Sequence, residues 1–204
     1  MIGKTCSIGW GASMNGERIV VSDADSDLIA RFLAGDRAAF DSLFLKYQDY
    51  VYNITYGIVG GTEEARDVTQ DIFVQVFRAL PGFRKGSRFS TWLYRIATNR
   101  ALDYARSNRN KVNLPLEDTL RTEPDPGQTP AQSAELAVDR EKVQALLMEV
   151  PVQHRDVLVL RYFQELSLEE ITGVLGCSLA ATKLRLHRAR KYFKERYESG
   201  HADE

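Results

Sequence analysis

Cysteine and histidine are scarce in this chain of 204 residues, which limits the chemistry that it can carry out. The two cysteines, Cys6 and Cys177, lie far apart, and neither has a second Cys or His at the spacing of zinc ligands. That placement excludes a zinc finger and argues against a disulfide framework. The three histidines, His154, His187 and His201, are scattered. We therefore expect no metal site and no cofactor.

Long hydrophobic runs and phosphate-binding loops are also missing. No run approaches the ~18 apolar residues that a membrane span needs, so we expect no insertion into a membrane. The first 22 residues contain Lys4 but no continuous apolar stretch, so they do not resemble a signal peptide, and we expect a cytoplasmic protein. No Gly-rich phosphate loop and no Ser/His/Asp or Cys/His set is recognisable, which predicts that the chain is not an enzyme.

Strand-type alternation is absent as well, and helical periodicity runs through most of the chain. The hydrophobic fraction of 44% is sufficient for real cores. We predict an all-α fold of two small helical domains, the second a helix-turn-helix, joined by a flexible linker. The predicted segments are a disordered N-terminal tail (1–23), the first domain (24–107), the linker (108–138), the second domain (139–197) and a C-terminal tail (198–204).

The linker is predicted from its composition. Residues 108–138 contain four prolines and few apolar residues, and five acids against one Arg lie between Asn113 and Glu135. Such a segment cannot bury enough apolar surface to offset the entropy of ordering it. Helical periodicity returns at Ala137.

Capping residues and glycines mark the helix ends in the first domain. A short amphipathic helix is expected to end at Gly35, and Asp36, Thr62 and Ser90 are each expected to cap the helix that follows. A polar, basic loop from Phe83 to Phe89 precedes the fourth helix.

The stretch from Ser167 to Arg196 has the pattern of a helix-turn-helix. Ser167 and Gly176 are the expected cap and stop of its first helix, and Ser178 caps the second. From Lys183 to Arg196 there are seven Lys/Arg and one acid. A short amphipathic helix, a tight turn and a basic helix are typical of a recognition helix in the DNA major groove. A helical hairpin with a solvated basic face is the alternative.

The outward face of that basic helix supplies the candidate contacts to duplex DNA. Its other face carries an apolar stripe that can pack on the preceding helix. The candidate residues are Ser178, Lys183, Leu184, His187, Arg188 and Lys191.

The third helix carries a second unusual face. Opposite its core stripe, acidic side chains surround an apolar centre, which is typical of a docking site for a basic protein partner. A solvated surface with one stray valine is the alternative. The candidate residues are Asp67, Gln70, Asp71, Val74 and Phe77.

The fourth helix and the loop before it carry a third face. Between Gly82 and Lys111 there are eight Lys/Arg and a single acid. Aromatic and Asn side chains among basic residues suit unstacked bases, because guanidinium groups hold phosphate while rings and amides read the bases. Trp92 is equally consistent with a core position. The candidate residues are Arg84, Lys85, Arg88, Trp92, Arg95, Asn99 and Arg106.

Several segments resemble the bacterial extracytoplasmic-function (ECF) sigma factors, group IV of the sigma-70 family. The run from Phe83 to Tyr104 resembles their conserved region 2, and Asp67–Phe73 resembles their core-polymerase-binding helix. Leu168–Ile171 and Leu186–Lys191 resemble their region 4. The two regions occur in the expected order and separation, with no region 3 between them, and together they cover most of the chain.

The resemblance implies a dissociable specificity subunit of RNA polymerase that directs promoter recognition and transcription initiation. It implies that the acidic face of the third helix docks on the clamp helices of the β′ subunit. The loop and the fourth helix would melt the −10 element and hold a flipped base, with Asn99 as a base contact. Region 4 would read the −35 element as duplex through Lys183, His187 and Arg188, and would touch the β flap. The acidic linker would thread the active-site and RNA-exit channels.

The resemblance also implies a separate anti-sigma factor, which could hold the chain at the membrane. Leu184 departs from the family pattern, since most members carry a small polar residue there. It either contacts a thymine methyl group or is a tolerated exposed leucine, so the promoter sequence does not carry over from the family.

Two other functions compete with this interpretation. One is a stand-alone helix-turn-helix transcription regulator whose N-terminal domain senses a ligand or dimerises. The other is a structural adaptor whose basic faces are simply solvated. The regulator would bind duplex DNA tightly without polymerase, whereas the adaptor would show no dependence on DNA.

Overall fold

A computed structural model describes residues 23–83, 87–108 and 130–200 of the chain, and within those ranges it is helical with no strand. The all-α prediction is therefore confirmed. None of the helices described is long and apolar enough to span a bilayer. The helices are α1 (Asp23–Leu33), α2 (Ala38–Val59), α3 (Thr62–Ala79), α4 (Phe89–Asn108), α5 (Pro130–Glu149), α6 (Val152–Leu158), α7 (Leu168–Leu175) and α8 (Leu179–Gly200).

Several predicted segments lie wholly or mostly outside the described residues. These are the N-terminal tail, most of the linker, the last residues of the C-terminal tail, and Arg84 and Lys85 of the basic loop. The domain boundaries stay predictions. Helix α5 begins at Pro130 rather than at Ala137, and α8 continues to Gly200, so helix extends into parts of the segments predicted as linker and tail.

The predicted ends of α7 are confirmed. Ser167 Oγ accepts the Glu170 N–H at 3.2 Å, and Glu170 Oε2 accepts the Ser167 N–H at 2.9 Å, which forms a reciprocal capping box. Gly176 ends the helix with φ of 64°, a left-handed conformation that glycine adopts without steric cost.

Two of the predicted caps in the first domain are wrong. Ser90 lies inside the first turn of α4, which begins at Phe89, and Thr62 is the first residue of α3, preceded by Gly61 at the cap position. Asp36 does act at the start of α2, because its Oδ1 accepts the Ala38 N–H at 3.0 Å. Ser and Thr are compatible with both the cap and the first turn, so sequence alone did not fix these helix starts.

Helix α2 lies at the centre of the first half of the fold and packs against α1, α3 and α4. Tyr47 of α2 is fully buried, with its ring centroid 5.4 Å from that of Phe89 at the start of α4. The predicted core stripe of α3 is buried against this centre, which leaves the opposite side of α3 exposed. The buried residues of that stripe are Ala65, Val68, Ile72, Val76 and Leu80.

A buried carboxylate of α1 makes a hydrogen bond and an ion pair with α2. Asp25 is 6% exposed, and its Oδ2 accepts the Tyr47 hydroxyl at 2.6 Å. Its Oδ1 lies 2.5 Å from Lys46 Nζ. Both carboxylate oxygens therefore have partners, which offsets the cost of burying the charge.

The second half of the fold is built from α5 to α8. Helix α6 continues into a π-type turn (Val159–Phe163), and α8 packs across α6 and α7. The predicted inner stripe of α8 is buried or half-buried against these helices. Its residues are Leu179, Thr182, Leu186, Ala189 and Phe193.

The two halves share one hydrophobic core rather than standing apart. The C-terminal end of α2 contacts α5, α6 and the π-type turn. Gln144 Nε2 donates to the Tyr56 carbonyl at 2.9 Å, and Arg155 Nη1 donates to the Ile58 carbonyl at 3.0 Å. These bonds connect the backbone of the first half to side chains of the second.

The two halves also pack closely at Gly57 and Val159. A Cβ atom added at Gly57 would lie 2.6 Å from a Val159 methyl group, which is shorter than any real contact of that kind. Glycine at position 57 therefore allows α2 to lie directly against the π-type turn.

Candidate nucleic-acid interfaces

The outward face of α8 carries every predicted contact to duplex DNA. From Lys183 to Lys191 this face extends about 12 Å at 1.5 Å per residue, close to the width of the major groove. Ser178 caps the helix, because its Oγ accepts the Ala181 N–H at 3.2 Å. Leu184 is 49% exposed among charged neighbours. The exposed residues of this face are Ser178, Lys183, Leu184, His187, Arg188 and Lys191.

An ion pair between Arg185 and a buried carboxylate fixes the position of α8 beside that face. Arg185 Nη2 lies 2.6 Å from Asp156 Oδ2, and the Asp156 side chain is 1% exposed. The same Nη2 donates to the Gln153 carbonyl at 3.1 Å. Burial raises the pKa of Asp156, and the Arg185 guanidinium opposes that rise. The pair joins α8 to α6 and so determines how the outward face of α8 is presented.

Sequence reasoning missed this pair. Arg185 is one of seven basic residues between Lys183 and Arg196, and the pattern gives no sign of its partner Asp156. The signal that could have found it is an acid inside the apolar stretch of α6, where an unpaired charge would be costly.

The turn between α7 and α8 is held by a small polar cluster. The Thr182 hydroxyl is buried and lies 3.0 Å from the Thr172 hydroxyl and 3.2 Å from Cys177 Sγ. Thr172 also donates to the Leu168 carbonyl at 2.8 Å. The two helices of the helix-turn-helix are therefore linked by hydrogen bonds as well as by apolar packing.

Two aromatic contacts join α8 to α6 and to the π-type turn. The Tyr192 ring stacks on His154 with centroids 5.4 Å apart, and Arg190 lies over the Tyr162 ring and donates to its hydroxyl at 2.6 Å. Burial lowers the pKa of His154, and Arg185 lowers it further. His154 is therefore neutral near pH 7 and adds no charge to the basic surface.

The exposed side of α4 retains several of the residues predicted to contact single strands. Trp92 is half-buried, with ring centroids 5.1 Å from Phe83 and 5.8 Å from Phe89. One side of its ring therefore packs on the domain while the rest faces outward. Asn99 and Arg106 are exposed.

Two other residues of that set, Arg88 and Arg95, are engaged by α7. Arg88 Nη1 lies 3.1 Å from Glu170 Oε1. Arg95 Nη2 donates to the Gly173 carbonyl at 2.5 Å, and Arg95 Nε donates to the Val174 carbonyl at 3.2 Å. We call this set of interactions the α4–α7 contact. Periodicity did not predict it, because both arginines read simply as exposed basic residues.

The predicted docking face of α3 is exposed throughout. Asp67, Gln70 and Asp71 form its polar part, and Val74 is 49% exposed at its centre. Asp71 Oδ2 accepts from Arg100 Nη2 at 2.8 Å, a contact between α3 and α4 that the sequence did not indicate. The face therefore presents acidic groups around an apolar centre, as the pattern predicted.

Phe77 continues this face toward the first two helices. Its ring is 38% exposed and makes edge contacts with Phe32 and Phe40, at centroid distances of 5.1 and 4.9 Å. Beside it, a shallow depression of about 520 Å³ is lined by Asp71, Val74 and four neighbouring residues.

A metal centre is not suggested by the geometry. In residues 23–83, 87–108 and 130–200, no group of three or more His, Cys, Asp or Glu side chains could hold a metal ion. The chemistry available on these faces is charge pairing, hydrogen bonding and apolar contact.

Two protein families match the chain in the order of its two halves. Sigma-70 region 2 matches residues 43–111, and Sigma-70, region 4 matches residues 140–193. The first match contains α3, α4 and the basic loop between them, and the second contains the helix-turn-helix.

Two curated proteins and one solved structure are also similar to the chain over most of its length. The RNA polymerase sigma-H factor of Pseudomonas aeruginosa is 36% identical over 180 residues, which cover 85% of this chain and 93% of that protein. The ECF RNA polymerase sigma factor SigW of Bacillus subtilis is 30% identical over 168 residues, covering 79% and 90%. The structure of CnrH in complex with the cytosolic domain of CnrY superposes with a TM-score of 0.64 at 26% identity, covering 87% of this chain and 99% of that one.

Proposed function

The chain belongs to the ECF sigma factors of the sigma-70 family, and from that premise we propose which of its surfaces binds polymerase and which bind promoter DNA. It is an RNA polymerase sigma factor, which binds core polymerase and directs it to promoters. Sigma factors are specificity subunits rather than enzymes. The residue assignments rest on one observation. Helices α3, α4 and α8 each present a separate exposed face, and all three lie within the two matched regions.

The face of α3 is the polymerase-binding surface in this proposal. Val74 supplies a central apolar contact, and Asp67 and Asp71 surround it with negative charge. That combination suits a basic protein surface, because charge steers the encounter while the apolar centre excludes water. The occupant would be the clamp helices of the β′ subunit.

The face of α4 binds the −10 element as a single strand. Its arginines hold phosphates, the outer side of Trp92 stacks on a base, and the Asn99 amide reads a base edge. Arg84 and Lys85 of the loop belong to the same proposal. The faces of α4 and α3 lie on adjacent helices, joined by the Asp71–Arg100 pair, so melted DNA would be held close to the polymerase.

The face of α8 reads the −35 element as duplex. Lys183 and Arg188 would contact phosphates or guanine edges, and His187 adds a further hydrogen-bonding group. The same half of the chain would touch the β flap. Joining two weak DNA contacts through the polymerase raises the overall affinity, so each face alone should bind poorly.

Regulation by a separate anti-sigma factor completes the proposal. CnrH, which has the same fold, was solved with the cytosolic domain of CnrY bound to it. We place the action of the chain in the cytoplasm, with retention at a membrane only through such a partner.

Run-off transcription with purified core polymerase tests the proposed function. Transcripts that start at defined promoters only when the chain is added would support it. A stand-alone regulator would instead bind a symmetric duplex tightly without polymerase, and an adaptor would change neither binding nor transcription.

The variant Arg188→Glu tests whether DNA binding and polymerase binding lie on different faces. Because Arg188 lies on the DNA face of α8, reversal of its charge should abolish promoter use while core polymerase still binds. Loss of polymerase binding by this variant would contradict the assignment of the two faces.

A further inference from the structure

An irregular stretch of backbone presents Tyr162 to the side of α8. The Gln164 N–H donates to the Val159 carbonyl at 3.1 Å, a π-type bond that encloses one residue more than the bond of an α-helix. Val159 and Leu160 are fully buried, whereas Tyr162 is 51% exposed. The π-type turn therefore keeps its apolar residues in the core while it directs one aromatic ring outward.

The backbone that follows this turn is strained. Glu165 has φ of 53°, a left-handed conformation that costs free energy in a residue with a Cβ atom. Arg161 Nη1 donates to the Leu166 carbonyl at 2.7 Å across the same segment. Strained residues and π-type turns both occur often at functional sites, and here they adjoin one exposed tyrosine. None of the surfaces assigned above includes this tyrosine.

Tyr162 holds the side chain of Arg190 in one orientation. The Arg190 Nε–H donates to the Tyr162 hydroxyl at 2.6 Å, and the guanidinium carbon lies 5.6 Å from the centre of the ring. These two contacts restrict a side chain that would otherwise sample many rotamers. Arg190 is exposed, and its two terminal nitrogens have no hydrogen-bond partner among the residues that the structure describes. Their N–H groups are available to a ligand outside the chain.

Arg190 lies at the edge of the outward face of α8. It follows Lys183 by seven residues, so the two side chains project from the same side of the helix, about 10 Å apart. Leu184 and Lys191 lie at the centre of the face. When that centre enters the major groove, the edges of the face meet the phosphate strands that border the groove. A guanidinium group matches the oxygens of a phosphate, so a DNA phosphate is the ligand that suits Arg190.

We propose that Arg190 contacts a phosphate beside the −35 element and that Tyr162 is its positioning residue. The contact fixes where α8 lies along the duplex without reading a base, because phosphate contacts carry no sequence information. Restriction of Arg190 by Tyr162 in the unbound chain lowers the entropy that is lost on binding. The inference rests on the proposed reading of the −35 element by α8.

Methylphosphonate substitution tests the contact at single phosphates, because it replaces a charged oxygen of the DNA backbone with a neutral methyl group. The probe is a promoter duplex that the chain uses in run-off transcription, with one phosphate replaced at a time in and beside the −35 element. Holoenzyme with the wild-type chain should bind about fivefold to tenfold more weakly at each contacted phosphate. Arg190→Gln should weaken binding to the unmodified duplex by a similar factor and be insensitive to replacement at one of these phosphates. Sensitivity at every phosphate that the wild type contacts would overturn the inference.

Two tyrosine variants test the positioning role. Tyr162→Phe keeps the ring but removes the acceptor for Arg190, so binding to the unmodified duplex should weaken about threefold, and this loss should vanish in the Arg190→Gln background. Tyr192→Phe is the control, because Tyr192 is an exposed tyrosine of the same helix that stacks on His154 instead. An equal loss for Tyr192→Phe, or a loss for Tyr162→Phe that persists without Arg190, would contradict the positioning role.

Salt and sequence dependence separate a phosphate contact from base reading. Arg190→Gln should lower the slope of log affinity against log salt concentration by about one, and its defect should be the same on promoters with different −35 sequences. An unchanged slope, or a defect confined to one −35 sequence, would refute a phosphate contact.

Binding to core polymerase distinguishes this contact from one with the β flap. We expect Arg190→Gln to bind core polymerase as tightly as the wild type does, and weaker binding would overturn the inference. If the wild-type holoenzyme does not bind the promoter, the proposed function itself is wrong. If it binds and Arg190→Gln binds equally well, only the role of Arg190 is refuted.

Discussion

Arg185 on the recognition helix neutralises Asp156, a carboxylate that is 1% exposed in α6. Arg185→Ala would leave that charge buried and unpaired, so we expect a loss of about 3 kcal/mol in the free energy of unfolding at pH 7. Urea unfolding measures it. Arg196→Ala is the control, because Arg196 is 56% exposed and its pair with Glu149 is long at 3.7 Å, so its effect should stay within about 0.5 kcal/mol. A similar loss in both variants would mean that burial of Asp156 is not the cause.

The same pair predicts a pH dependence. The pKa of Asp156 is raised by folding, so the folded state binds more protons above the ordinary value of 3.8 and stability falls as pH rises through the raised pKa. Without Arg185 the pKa rises further, so Arg185→Ala should cost less at pH 4 than at pH 7. Adding Asp156→Asn should remove this difference and restore most of the lost stability. An effect of Arg185→Ala that is constant across this range would contradict the explanation.

Two buried tyrosines of the first half should respond in opposite ways to loss of the hydroxyl. Tyr47 donates to the buried Asp25 carboxylate, so Tyr47→Phe should lower the free energy of unfolding by about 1–3 kcal/mol. The Tyr94 hydroxyl is buried and has no hydrogen-bond partner in the described part of the chain, so Tyr94→Phe should be neutral or stabilising. Thermal unfolding compares the two, and equal losses would count against the role of Asp25.

The faces of the helices could be predicted from sequence because burial follows a period of 3.6 residues. The buried stripe of α3 and the exposed face of α8 follow this period, and the N-cap at Ser167 and the helix end at Gly176 are confirmed. These features depend only on neighbours within two or three turns, which the local sequence contains.

The contacts between distant parts of the chain could not be predicted. Arg95, Gln144 and Arg155 bind backbone carbonyls of the other half, and any helix offers such carbonyls. A periodic pattern states which face is covered but not what covers it. Trp92 shows the same limit: it is neither core nor fully exposed, because Phe83 and Phe89 cover one side of its ring.

The polymerase-binding proposal predicts a charge-specific defect. Asp71→Lys reverses a charge beside Val74 and should weaken association with core polymerase at least tenfold, or about 1.4 kcal/mol, in a titration by fluorescence anisotropy. Its ion pair with Arg100 is exposed, so the fold should be little affected. Glu63→Lys makes the same change on an exposed part of α3 outside the face. An equal defect in Glu63→Lys would argue for a general charge effect instead.

Leu184 offers a test of direct sequence reading. An exposed leucine between residues that we propose to contact DNA would bury its methyl groups against a thymine methyl, worth about 1 kcal/mol or about fivefold in affinity. Deoxyuridine lacks only that methyl group, so replacing one thymine of the −35 element should weaken holoenzyme binding. Leu184→Ala should weaken binding to the thymine promoter and be insensitive to this replacement. If every thymine can be replaced without effect, Leu184 does not read the sequence.

The packing of Gly57 on Val159 holds the two halves of the chain against each other. By the proposed function the two halves separate to reach the −10 and −35 elements, so the free energy gained from this packing would stabilise the free chain and oppose its binding to a promoter. A substitution that improves the packing between the two halves would raise the melting temperature and lower promoter activity together. A variant selected for higher thermal stability at this contact would thus direct less transcription.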